Sequence, residues 1–111
     1  MPFRIALVQF NASVGDMTGN IEAMRAFFPK AEQMGVDLLV FPEMCVCGYP
    51  PEDLLHKLHF LEDSTDAVHK LAKETGKMAV TAGFAEQDGD KFYNSLAVMR
   101  NGKIEHIYRK Y

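Results

Sequence analysis

Apolar residues along this chain fall into short dense runs separated by stretches of helical spacing. Residues 3–10, FRIALVQF, form the first run, interrupted only at Arg4 and Gln9, and their shortness predicts a buried strand. NASVGDMTGN follows and reads as a loop. Asn20 is placed to cap a helix running to about Met34, with Ile21, Met24, Phe28 and Ala31 as its buried stripe. Pro29 inside that pattern should kink or weaken the helix, and Gly35 suits its C-terminal end. DLLVF, residues 37–41, is a second strand. The segment PEMCVCGYPPEDLL is loop-like at first, and Pro50 and Pro51 start a helix over 52–61. Asp63 or Ser64 can cap another helix to about Thr75, with Val68, Leu71 and Ala72 inward and Gly76 ending it. Three strands close the chain, over 78–84, 92–100 and 103–110. Asn101-Gly102 between the last two is the signature of a type I′ hairpin, and QDGD at 87–90 turns the third strand into the fourth.

Strand, helix and strand within about forty residues make a right-handed βαβ unit with parallel strands. The whole pattern predicts an α/β domain: two such crossovers, then an antiparallel meander, with helices on one face of the sheet. The last two strands carry apolar residues on both sides, so the second face should also be covered, by something outside these elements.

Composition narrows the class. The chain has 111 residues, 48% of them apolar and 24% charged, which suits one globular domain and excludes wholesale disorder. A net charge of −3 leaves no basic field for nucleic acid. No run approaches the ~20 apolar residues that span a bilayer. The start MPFRIALVQF is no signal peptide, and two cysteines make no disulfide framework, so a cytoplasmic setting is expected.

Candidate chemistry gathers at strand ends. Glu43 lies just beyond the carboxyl end of the second strand, where open α/β sheets form their sites. Partial desolvation there suits a carboxylate to general-base work, although a solvated loop acid or a cap occupies such a position equally well. Lys110 ends the fifth strand with the parity of Ile104, His106 and Tyr108. If that face is inward its ammonium needs an acid partner; otherwise it is an ordinary basic strand end beside Arg109. Either Cys45 or Cys47, just after Glu43, could be a nucleophile activated by that carboxylate, but neighbours in sequence rarely hold nucleophile–base geometry, and buried structural thiols are the favoured reading. His56 and His59 can share a helix face but lack a third ligand, and neither a metal site nor a phosphate-binding glycine motif emerges. Asn94 and Ser95, polar inside the fourth strand, need hydrogen-bond partners and could brace the Glu43 loop.

Taken together, RIALVQF with its NASVGD loop and GNIEAM helix start, DLLVFPE, and FYNSLAVMRNGKIEHIYRK resemble the nitrilase, or carbon–nitrogen hydrolase, superfamily. CGYPPEDLL, residues 47–55, is similar to the glutaminase domains of glutamine-dependent NAD synthetases within it. The resemblance implies the N-terminal half of a four-layer α-β-β-α sandwich and a Glu-Lys-Cys triad. Glu43 would be the general base and Lys110 the oxyanion stabiliser. The family's nucleophilic cysteine comes several tens of residues after the lysine, so residues 1–111 are expected to be a glutamine amidotransferase domain cut before its nucleophile, and inactive alone. The implied partners are glutamine or another amide substrate, the remainder of a synthetase chain and further copies in a homo-oligomer. ATP and magnesium are implied only for the synthetase domain. Two other readings stay open: a fragment of a free-standing amidase, and a non-catalytic self-associating module.

Overall fold

Strands Ile5–Leu7 (β1), Leu38–Val40 (β2), Ala79–Asp88 (β3), Lys91–Arg100 (β4) and Lys103–Lys110 (β5) lie side by side in chain order in one sheet. The computed structural model describes residues 2–48 and 58–110. β1, β2 and β3 run parallel, and β4 and β5 add to them antiparallel. Parallel neighbours require crossovers. Helices Met17–Arg25 (α1) and Phe28–Gln33 (α2) supply the first and Leu58–Lys73 (α3) the second. This is the α/β order that the hydrophobic pattern predicts.

Several boundaries differ from the sequence reading. The first helix begins earlier, with Asp16 Oδ1 accepting from the Gly19 amide at 3.0 Å. Asn20 is therefore not the cap. It is buried, with Oδ1 accepting from Ser13 N and Nδ2 donating to the Ser13 and Val46 carbonyls at 2.8 and 3.0 Å. Pro29 does more than kink the helix. It lacks an amide hydrogen, so it is accommodated in the first turn of a separate α2, after a break at Ala26 and Phe27. The expected stripe survives that break, since Met24, Phe28 and Ala31 are all buried.

α3 runs unbroken through Asp63 and Ser64, so neither caps a helix there. Ser64 belongs to the inward stripe with Phe60, Leu61, Ala67, Val68, Leu71 and Ala72. Its hydroxyl accepts from the Ala85 amide at 3.2 Å. The helix predicted over 52–61 and its proline start fall mostly outside the described residues, as does His56. β3 extends to Asp88, because Glu86 and Gln87 pair with Tyr93 and Phe92, and only Gly89 and Asp90 form the turn. The Asn101-Gly102 hairpin is as predicted, both residues having positive φ at 55° and 79°.

The three helices among the described residues cover one face of the sheet. Val80, Ala82 and Phe84 of β3 point into this layer beside Ala97 and Met99 of β4, and all are fully buried. The opposite face carries Ile5, Leu7 and Tyr108, each more than half exposed, with Leu96 and Val98 half-buried between. A bulge lies on β5: Ile104 pairs with Met99 but His106 with Val98, leaving Glu105 as the extra residue. Ile104 consequently turns toward the helices, while His106, Tyr108 and Lys110 share the other face. The simple parity that groups Ile104 with Lys110 does not hold. No helix among the described residues is long and apolar enough to cross a membrane.

Asn20 ties three segments to one buried amide. Asn20→Ala should lower the unfolding free energy by about 2–3 kcal/mol, because the buried Val46 carbonyl loses a donor. Urea denaturation measures this, and an unchanged midpoint would show that the amide carries no such weight.

Candidate functional site

β2 stops at Val40 while β3 continues for several residues, so the chain after β2 must pass along an unpaired length of β3. Phe41 and Val46 donate their amides to the carbonyls of Thr81 and Gly83, at 2.9 and 3.1 Å. Between them the backbone of Glu43 and Met44 comes down onto Gly83. A Cβ at Gly83 would stand 2.5 Å from Met44 N and 2.9 Å from Glu43 Cα, so only glycine permits this approach. Met44 itself takes a positive φ of 53° in the same turn.

The approach directs Glu43 over the uncovered sheet face. Its Oε1 accepts from Lys110 Nζ at 2.7 Å and from Asn94 Nδ2 at 2.5 Å. Asn94 and Lys110 are directly opposed residues of β4 and β5, so strand pairing brings the two donors together. Gly83, Leu96 and Tyr108 join these three around a concavity of about 210 Å³. A carboxylate that receives an ammonium and an amide on one oxygen is fixed in orientation by both donors. The sequence expectation for Asn94 is met in this contact.

Ser95 does not brace the Glu43 loop. Alternation along β4 turns it to the other face, where its hydroxyl donates to Glu86 Oε1 at 2.9 Å. Glu86 also receives Arg109 Nε at 2.8 Å and Nη2 at 3.3 Å, and Nη2 lies 3.2 Å from Asp88 Oδ2. The guanidinium stacks over Tyr93 at 4.3 Å. Hydrogen bonding from Arg109 holds the Glu86 carboxyl below the usual carboxylate range, against its partial burial, and Glu86 in turn raises the guanidinium. This clamp across β3, β4 and β5 escaped the sequence reading. The pairing of Glu86 with Tyr93 and of Ser95 with Arg109 could have revealed it, had the β5 bulge not obscured the register.

Residues 4–111 match the carbon-nitrogen hydrolase family. The chain belongs to that family. It is 42% identical over 109 residues to a glutamine-dependent NAD(+) synthetase of Thermotoga maritima, covering 96% of this chain and 19% of that protein. Among solved structures, the glutamine-dependent NAD+ synthetase of Acinetobacter baumannii in complex with ADP superposes with a TM-score of 0.88 at 33% identity, over 98% of this chain and 21% of that one. A glutamine-dependent NAD(+) synthetase from Cytophaga hutchinsonii shares the fold, with a TM-score of 0.90 at 23% identity over 97% of this chain and 19% of that one. This member of the carbon-nitrogen hydrolase family thus spans about a fifth of the length of the relatives it matches.

The two cysteines of this carbon-nitrogen hydrolase chain stand apart from the Glu43–Lys110 pair. Both are buried. Cys45 Sγ lies 3.7 Å from the Gly83 carbonyl, and Cys47 Sγ lies 3.2 Å from the Gly48 carbonyl. Burial pushes the Cys45 thiol up to about 12 and raises Cys47 as well, which suits structural thiols and not nucleophiles. His59 is exposed on α3, its Nδ1 3.9 Å from Glu62.

Two outcomes follow from these environments. Neither thiol should react with a disulfide reagent at pH 8 in the folded protein, and both should react after unfolding in urea; fast native labelling would contradict the burial. Glu86 titrates lower when folded than the 4.5 of a free side chain. Its stabilising contribution is therefore full above that pH and fades as pH falls through the folded value. Glu86→Gln should flatten the loss of stability below about pH 4.5, as read by thermal melts across pH 2–6.

Proposed function

We propose that residues 1–111 form the N-terminal part of the glutamine-hydrolysing domain of a glutamine-dependent NAD synthetase. One observation carries this reading: Glu43 from the end of β2 and Lys110 from the end of β5 meet at 2.7 Å in a concavity on one sheet face. The names of the relatives, each about five times longer than the matched segment, support the choice of substrate.

In this reading Glu43 takes the proton of a thiol supplied from further along the polypeptide. The thiolate attacks the side-chain amide carbon of glutamine, and the carbonyl π electrons move onto oxygen. Lys110 stabilises that oxyanion, as resemblance to the family implies. Collapse of the intermediate expels ammonia, which leaves with the proton held by Glu43. Water then cleaves the thioester to glutamate. The ammonia goes on to an ATP- and magnesium-dependent domain that amidates nicotinic acid adenine dinucleotide to NAD. A second α-β half would pack on the face that carries Ile5, Leu7 and Tyr108, completing four layers. The reading also carries a cytoplasmic setting and a homo-oligomeric assembly.

Within the complete synthetase, Glu43→Gln should lower glutamine-dependent NAD formation by about 10²–10⁴-fold, the usual weight of a general base, and leave ammonia-dependent formation intact. Lys110→Met should do the same. Residues 1–111 alone should release no ammonia from glutamine. Unchanged glutamine turnover in Glu43→Gln would overturn the assignment.

A further inference from the structure

We propose that Asn94 is a positioning residue that keeps Glu43 ionised and aimed, so that the base acts on two donors and not on the lysine alone. This inference rests on the reading of Glu43 as the general base. The geometry behind it is specific. Asn94 Nδ2 and Lys110 Nζ both address Oε1 of Glu43, at 2.5 and 2.7 Å. Two donors on the same oxygen restrict rotation of the carboxylate, which a single flexible ammonium does not.

The two donors are also unequal in how firmly they are held. The Lys110 side chain is 64% exposed at the end of β5 and reaches Glu43 along four methylenes. Asn94 has one methylene and lies mid-strand, half-buried, with both neighbouring strands paired to it: Ala85 on β3 and Lys110 on β5. A lysine that also meets an oxyanion divides its three donors between two oxygens. The strand-borne amide has Glu43 as its recorded acceptor, and its place is set by the sheet. On the reverse side, Ser95 and Arg109 join Glu86, so the segment presenting Asn94 and Lys110 is fastened from behind.

The amide contributes no net charge, and its hydrogen bond favours the carboxylate over the carboxylic acid. The titratable groups around the concavity, among the described residues, are Glu43, Lys110 and Tyr108. Glu86, Arg109 and Asp88 lie on the other sheet face and close their own network. Removing the amide donor should therefore be felt at Glu43 in the pH range where the base must lose its proton.

The experiment is a pH profile of glutamine-dependent kcat/KM in the complete synthetase. Asn94→Leu keeps the side-chain length but deletes the donor. Its acid limb should move up by about one pH unit, with kcat down about tenfold and ammonia-dependent synthesis unchanged. Asn94→Asp keeps the shape and adds a like charge, so its acid limb should also move up. It supplies the reading if the leucine variant does not fold. Acid limbs that coincide with wild type in the folded variants would overturn the proposal, even where kcat falls, because a purely structural role lowers rate without moving the limb. Glu43→Gln serves as the control. If it retains glutamine turnover, the general-base reading fails and this proposal with it; if it is inactive while the Asn94 limbs stay put, only the role of Asn94 fails.

Discussion

The carboxyl end of the sheet depends on how closely one backbone can approach another. Glu43 leaves β2, the second strand, yet its partners stand on β4 and β5. β3 lies in between, and a side chain on the near face of β3 would block the path. Gly83 removes that obstacle, letting the backbone of Glu43 and Met44 rest on the strand itself. From there one carboxylate reaches across to Asn94 and Lys110. The price is a left-handed Met44, tolerated because hydrogen bonds from Phe41, Val46 and Gly48 fix the turn on both sides.

The sheet also divides its chemistry between its faces. Neighbouring residues of β4 and β5 alternate: Asn94 and Lys110 face the concavity, and Ser95 and Arg109 face away. The outer pair joins Glu86 in a charged clamp, while the inner pair holds Glu43. Two carboxylates, one on each side of the sheet, thus bind the same two strands at the same level. The cysteines take no part in either group. They line the turn that carries Glu43 past β3, and their burial makes them part of its packing.

Much of this was legible in the residues. Dense apolar runs located every strand, Asn101-Gly102 located the last hairpin, and the position of Glu43 after DLLVF located the carboxylate. What could not be read depended on tertiary choice. Asn20 and Ser64 are both good caps by type, but each is also small and polar enough to satisfy a buried backbone group, and burial decided their roles. Pro29 fits inside a helical stripe only by starting a new helix, which periodicity does not distinguish from a kink. The single extra residue at Glu105 reversed the parity of Ile104 relative to Lys110, and no composition signal marks such a bulge.

Sequence distance separates two kinds of contact at this site. Asn94, Lys110 and the clamp behind them come together through two tight hairpins, whose contacts are close in the chain. Glu43 meets Lys110 across 67 residues, by way of the parallel β2–β3 crossover. Loop closure makes such distant contacts slow relative to hairpins. The meander thus presents its receptor for the carboxylate through local contacts, and the carboxylate reaches it through a distant one. The Glu43–Lys110 contact therefore requires the β2–β3, β3–β4 and β4–β5 pairings to be in register together.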